Sequence, residues 1–213
     1  MYSTAYRAAS NRPWTFNSAA RSVGRWLRLG LPAALSLYSV TVPAQAEVAS
    51  LFELRSSGLV RQTMELSCAA ASLSTVLRYQ HGRAVTEESV ALGLIDRPEY
   101  LADPDVVTSR RGFSLLDMKR FVDRLGFRGV GLGRLDVGAL QRRAPVIVPV
   151  DLHGYPHFVV FRSASENEVV LSDPAWGTVR VARDRFEDAW LVYDNIGRTG
   201  FVVEARRESD DQD

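Results

Sequence analysis

Five short apolar runs follow one another between residues 145 and 205: "PVIVPVDL", "HFVVFR", "EVVLSD", "TVRVA" and "GFVVEA". Each has strand length and is rich in β-branched or aromatic residues, with Gly, Pro, Asn or Ser turns between them. The series predicts an antiparallel meander, interrupted by a short helix at "DRFEDAW", 184–190. Upstream, from 67 to 141, apolar residues recur at helical spacing instead. Ala70, Leu73, Val76 and Leu77 predict a helix over 68–80, with Ser67 as its N-cap and Gly82 just beyond its end. Thr86 caps a second helix, 87–95. Ser114 and Asp117 form a capping box for a third, 115–125, with Leu116, Phe121 and Leu125 inward and Gly126 as terminator. "DVGALQRR" predicts a short fourth. Helices first and strands second give an α+β domain, its N-terminal helices packed on a C-terminal antiparallel sheet. The glycines of "GFRGVGLG" do not lie between a strand and a helix, as a phosphate loop requires.

Charge divides the chain differently. Residues 1–46 hold Arg7, Arg12, Arg21, Arg25 and Arg28 and no acid, so the remainder has a net charge of about −4. A mildly acidic body makes a poor nucleic-acid binder. The basic start leads into "LGLPAALSLYSVTVPAQA", an apolar run too short to span a bilayer that ends in the A-x-A pattern Ala44-Gln45-Ala46. Residues 1–46 read as a secretory signal peptide, 47–206 as the domain and 207–213 as an acidic disordered tail. The expected product is exported, without a stable membrane span, to a compartment like the bacterial periplasm.

In that compartment the single cysteine, Cys68, is informative. It cannot form an internal disulfide, so it is buried and inert, bridged to another chain, or reactive. It stands in the first turn of a helix, where partial positive charge favours thiolate. A base is available on the strands. If the loop between "HFVVFR" and "EVVLSD" is centred on Ser165, His157 falls opposite Asp173 on one face, with Cβ atoms about 4.5–5.5 Å apart. An imidazole oriented by a carboxylate needs only a nucleophile, and Gln62, six residues before the cysteine, offers an amide donor to an oxyanion beside the Cys68 N–H. Together these four residues are similar to the apparatus of a papain-like thiol hydrolase. Taken singly, each also has a purely structural role open to it. His153 and His157 lack a third ligand of convincing spacing, so no metal or other cofactor is expected. Arg110-Arg111 and Arg142-Arg143 read as solvated loop and helix ends. Trp176 and Trp190 either line a cleft or belong to the core.

The stretches "VRQTMELSCAAASLSTVL", "RRGFSLLDMKRFVDRLGF", "APVIVPV" and "YPHFVVFRSASENEVVLSDPAWGTVRVARDRFEDAW" together resemble, in order, the peptidase C39 family over residues 59–193. These papain-like cysteine peptidases cut leader peptides after a Gly-Gly pair. The resemblance implies Cys68 as nucleophile, His157 as general base and then acid, Asp173 as its orienting carboxylate and Gln62 at the oxyanion. Standing alone behind a signal peptide, the chain is most similar to the family's free-standing periplasmic branch, which includes the peptidase encoded with bacterial functional-amyloid (Fap) export machinery. That implies a peptide or protein substrate such as a secreted amyloid-like subunit, or a partner in its export machinery. Ala69 stands where the family usually has Gly, which brings a methyl group close to the thiol. Two rival readings are a peptide-binding chaperone with vestigial catalysis and a transglutaminase-like thiol acyltransferase.

Overall fold

The computed structural model describes residues 50–103, 105–152 and 154–206. All of them belong to the second of two units, which begins at Ala46. The expected signal peptide and acidic tail lie outside the described residues, as does His153.

Eight helices are described: α1 (Leu51–Ser56), α2 (Cys68–Tyr79), α3 (Glu87–Ile95), α4 (Pro98–Ala102), α5 (Asp105–Ser109), α6 (Leu115–Arg124), α7 (Val137–Arg143) and α8 (Arg183–Ala189). The strands are β1 (Phe127–Leu132), β2 (Val146–Val150), β3 (His157–Ala164), β4 (Glu168–Asp173), β5 (Gly177–Ala182), β6 (Val192–Tyr193), β7 (Gly197–Arg198) and β8 (Gly200–Ala205). Six strands form one antiparallel sheet in the order β1-β8-β2-β3-β4-β5, and β6 and β7 make a separate hairpin. The α+β architecture and the predicted helices and strands are therefore present; the last predicted strand, β8, returns to lie beside β2, and an unpredicted strand, β1, pairs with its outer edge.

Two apolar clusters cover the two faces of this sheet. On one face, Leu73, Leu77, Val90, Met118 and Val122 of α2, α3 and α6 pack on Ile147, Val160 and Phe201. On the other, Leu140, Phe186 and Trp190 pack on Val148, Val159, Phe161 and Leu171. Strand β2 is buried at every position, which accounts for its unbroken apolar sequence "VIVPV". Leu116, expected to face inward, is exposed; Met118, Phe121 and Val122 form the inward stripe of α6. The glycine-rich segment that carried no reading forms β1, paired along its length with β8.

Candidate active site

Cys68 is the first residue of α2 and His157 the first of β3. Both line one cavity of about 450 Å³, and both are nearly buried, at 9% and 5% exposure. Nε2–H of His157 donates to Oδ2 of Asp173 at 2.9 Å. An ionised carboxylate only accepts, so the imidazole proton sits on Nε2 and the buried Nδ1 is the basic nitrogen. Oδ1 of Asp173 accepts from the N–H groups of Ala175 and Trp176, at 2.8 and 3.1 Å. With both oxygens engaged, Asp173 cannot rotate without losing a bond, and the imidazole plane is set by it.

The strand pairing that brings His157 and Asp173 together differs from the expected one. Val160 pairs with Ser172, so Asp173 falls level with Val159 and diagonally across from His157. At the hairpin end Ser163 pairs with Val170, and a bulge between Phe161 and Ser163 absorbs Arg162. Continued without a bulge, the hairpin-end register would set His157 and Asp173 on opposite faces. The extra residue restores one face for both, a use bulges often have beside functional sites.

Electrostatics at the site favour an uncharged thiol at rest. Burial pushes Cys68 up from the ordinary thiol value, outweighing the N–H groups of Phe158, Ala69 and Cys68 itself, and the charge of Asp173 adds to the rise. The lowering argued from the helix terminus is thus overridden by desolvation. For Asp173 the balance is reversed. Burial alone would raise it, but the hydrogen bond and charge of His157 and the N–H groups of Ala175 and Trp176 hold its carboxyl below the usual range.

The segment before the nucleophile is held from two sides. Gln62 N–H donates to Pro174 O at 3.0 Å, and Arg61 donates to Ala175 O, so this segment lies along the turn that carries Asp173. Further on, the buried Glu87 carboxylate accepts from Thr63 N–H (2.9 Å), Thr63 Oγ1 (2.7 Å) and Ser67 Oγ (2.5 Å). Burial would raise Glu87, but the bonds from Ser67, Thr63 and Met64 hold it low. Ser67 is the N-cap residue, as expected, yet its hydroxyl turns to Glu87 and Met64 O and makes no cap bond. The first N–H groups of α2 therefore carry no side-chain cap. Glu87 escaped sequence reasoning. An acid in the first turn of α3 is locally explained by the helix dipole, and no nearby pattern reveals that it reaches back to Thr63.

The other singled-out residues fall as follows. Gln62 is half-buried beside the Asp173 turn and is not among the residues lining the cavity. Neither tryptophan lines it: Trp190 is core, donating from Nε1 to Thr199 O at 2.9 Å, and Trp176 lies exposed on the β4–β5 turn. Ala69 is fully buried in the helix-side core, so its methyl group does not narrow the cavity. Arg110 and Arg111, read as solvated loop residues, are exposed but line the cavity wall.

Residues 56–193 match the Peptidase C39 family. The chain belongs to that family. Among curated relatives, it is 39% identical over 153 residues to a Pseudomonas fluorescens protein named "Probable functional amyloid protease FapD". The similarity covers 71% of this chain and 66% of the relative. The protein of the same name from Pseudomonas aeruginosa is 37% identical over 155 residues, with the same coverage. The match thus spans just under two thirds of these relatives' length. Among solved structures, the peptidase domain of Streptococcus ComA, a bifunctional ABC transporter of a quorum-sensing pathway, superposes with a TM-score of 0.54 at 18% identity. It covers 70% of this chain and 98% of that domain. A double glycine motif protease from an AMS/PCAT transporter, solved with a leader peptide, gives 0.53 at 22% identity, covering 70% and 91%. The papain-like C39 fold is therefore the fold of this chain. No described helix is long and apolar enough to cross a membrane.

Proposed function

We propose that this chain is an exported cysteine endopeptidase that cuts a secreted protein or its leader after a Gly-Gly-type site. The observation that carries this is the placement of Cys68 and His157 on one cavity, with His157 tied through Nε2 to Asp173. In the proposed cycle Nδ1 of His157 takes the proton from the Cys68 thiol as sulfur attacks the peptide carbonyl. The Cys68 N–H, at an N-terminus without a side-chain cap, receives the oxyanion, and the Gln62 amide, which is not among the cavity-lining residues, is the second donor once it turns toward the bound substrate. Protonated His157 then gives its proton to the leaving amine, and water, activated by the same nitrogen, releases the acyl group. Because burial keeps the resting thiol neutral, His157 must act as a true general base at the moment of attack.

Gly-Gly specificity is supported by family membership and by the leader-bound double glycine motif protease of the same fold. A functional-amyloid subunit, or another protein exported with it, is the substrate class suggested by the FapD-named relatives. Residues 1–46 act as the signal peptide that delivers residues 47–206 to the periplasm, with 207–213 as an acidic tail. The test is cleavage of Gly-Gly-containing peptides followed by mass spectrometry. Wild-type protein is expected to cut after the second Gly and Cys68→Ala to be inert. Binding without cleavage in both would favour a peptide-holding chaperone, and amine incorporation would favour an acyltransferase.

A further inference from the structure

The cavity that holds Cys68 and His157 is apolar over most of its wall, through residues such as Phe113, Leu116 and Leu191, but one side carries Arg110 and Arg111. No acidic side chain lines it. Among the other described arginines, Arg120, Arg128, Arg180 and Arg183 have a carboxylate partner, whereas others, such as Arg78 and Arg83, have none. Arg110 and Arg111 have none among the described residues.

Their loop is built, and it is built against the nucleophile. Backbone bonds close it from Arg110 to Val106, Arg111 to Thr108 and Gly112 to Val107. Arg111 is held at φ 56° and Gly112 at φ 119°. A Cβ on Gly112 would stand 3.2 Å from the carbonyl oxygen of Leu66, two residues before Cys68. Leu66 is itself left-handed, at φ 59°. The two strained segments therefore abut, and both arginines line the cavity that holds Cys68. Two cations beside a reactive centre, in a body otherwise mildly acidic, make a site complementary to a carboxylate.

We propose that Arg110 and Arg111 form a carboxylate subsite of the peptide cleft, so that the substrate carries an Asp or Glu close to its scissile bond, with apolar neighbours against the remaining wall. This deepens the peptidase reading and rests on it for the position of the scissile bond. Both arginines are exposed, so the preference is moderate and salt-sensitive.

The test is a positional-scanning library of Gly-Gly-containing peptides, cleaved by the full chain and by Arg110→Gln/Arg111→Gln. The expected result is a position near the Gly pair at which Asp and Glu exceed Asn and Gln by about five-fold. That ratio should fall to about one in the double variant, and Arg110→Glu/Arg111→Glu should turn the preference toward Lys and Arg. A wild-type ratio near one, or one that survives the double variant, overturns the proposal and leaves the peptidase reading intact. If nothing is cleaved, the peptidase reading fails, and the subsite is judged by binding alone. The same labelled Glu and Gln peptides are then titrated onto Cys68→Ala by fluorescence anisotropy. Tighter Glu binding that depends on the arginines supports the subsite, and equal binding overturns it.

Discussion

Asp173 receives three donors on two oxygens: His157 on one, and Ala175 and Trp176 N–H on the other. An asparagine there would keep one acceptor and place an NH₂ against either the imidazole N–H or the backbone pair. Asp173→Asn should therefore misorient His157 and lower kcat by about 10²–10⁴-fold, with KM moving far less; steady-state kinetics on a Gly-Gly peptide checks this. Much of the site was legible at this scale. Cys68 stood out as a lone thiol on a helix start, and His157 and Asp173 as residues sharing a hairpin face. The tryptophans were not legible, because an aromatic side chain fits core and cleft alike, and only packing places Trp190 under Thr199. Glu87 is the residue to probe next. Glu87→Gln would set an NH₂ among donors from Thr63 and Ser67, costing about 2–3 kcal/mol of stability. Faster hydrogen exchange at the Thr63 and Met64 amides would show that the loosening lies in the segment before Cys68.

Among the elements, those with strong periodicity were readable: α2, α3 and α6 from their caps and stripes, and β2 to β5 from β-branched runs. Two features were not. Strand β1 hides because Gly129 and Gly131 have no strand preference. Gly129 is there for another reason, since a Cβ would stand 2.7 Å from Val122 and 2.9 Å from the Lys119 backbone, where α6 crosses β1. Gly129→Ala should cost about 1–3 kcal/mol through overpacking, seen as a lower urea midpoint at unchanged slope. The bulge at Arg162 is equally invisible, because a loop centred on Ser165 implies a regular ladder. The shared face of His157 and Asp173 was anticipated, but it arises from a diagonal pairing restored by the bulge.

For the whole molecule, the titrating groups set a stability window. Asp173 and Glu87 are held below their ordinary values when folded, so their contributions are complete above the unfolded carboxylate range, about pH 4–4.5, and are lost as pH falls below it. Cys68 is raised, so its contribution is complete below about pH 8.5 and is lost as pH rises beyond that. The urea midpoint should be highest between these limits. Cys68→Ala should flatten the alkaline decline, leaving the part due to Tyr193, which burial also pushes up. The proposed export, signal peptide and substrate rest on composition and resemblance alone, because no packing or pairing within the domain encodes a destination.

The central claim is that His157, held by Asp173, draws the proton from a thiol that is neutral at rest. It is tested most directly by the pH dependence of Cys68 inactivation by a Gly-Gly peptidyl chloromethyl ketone, in wild type and His157→Ala. The wild-type protein is expected to be inactivated fast already below the ordinary thiol range, because His157 takes the proton as sulfur attacks. In the variant inactivation should be slower and its rate rise only above about 8.5, with the thiol. Profiles that coincide, indifferent to His157, would contradict the claim.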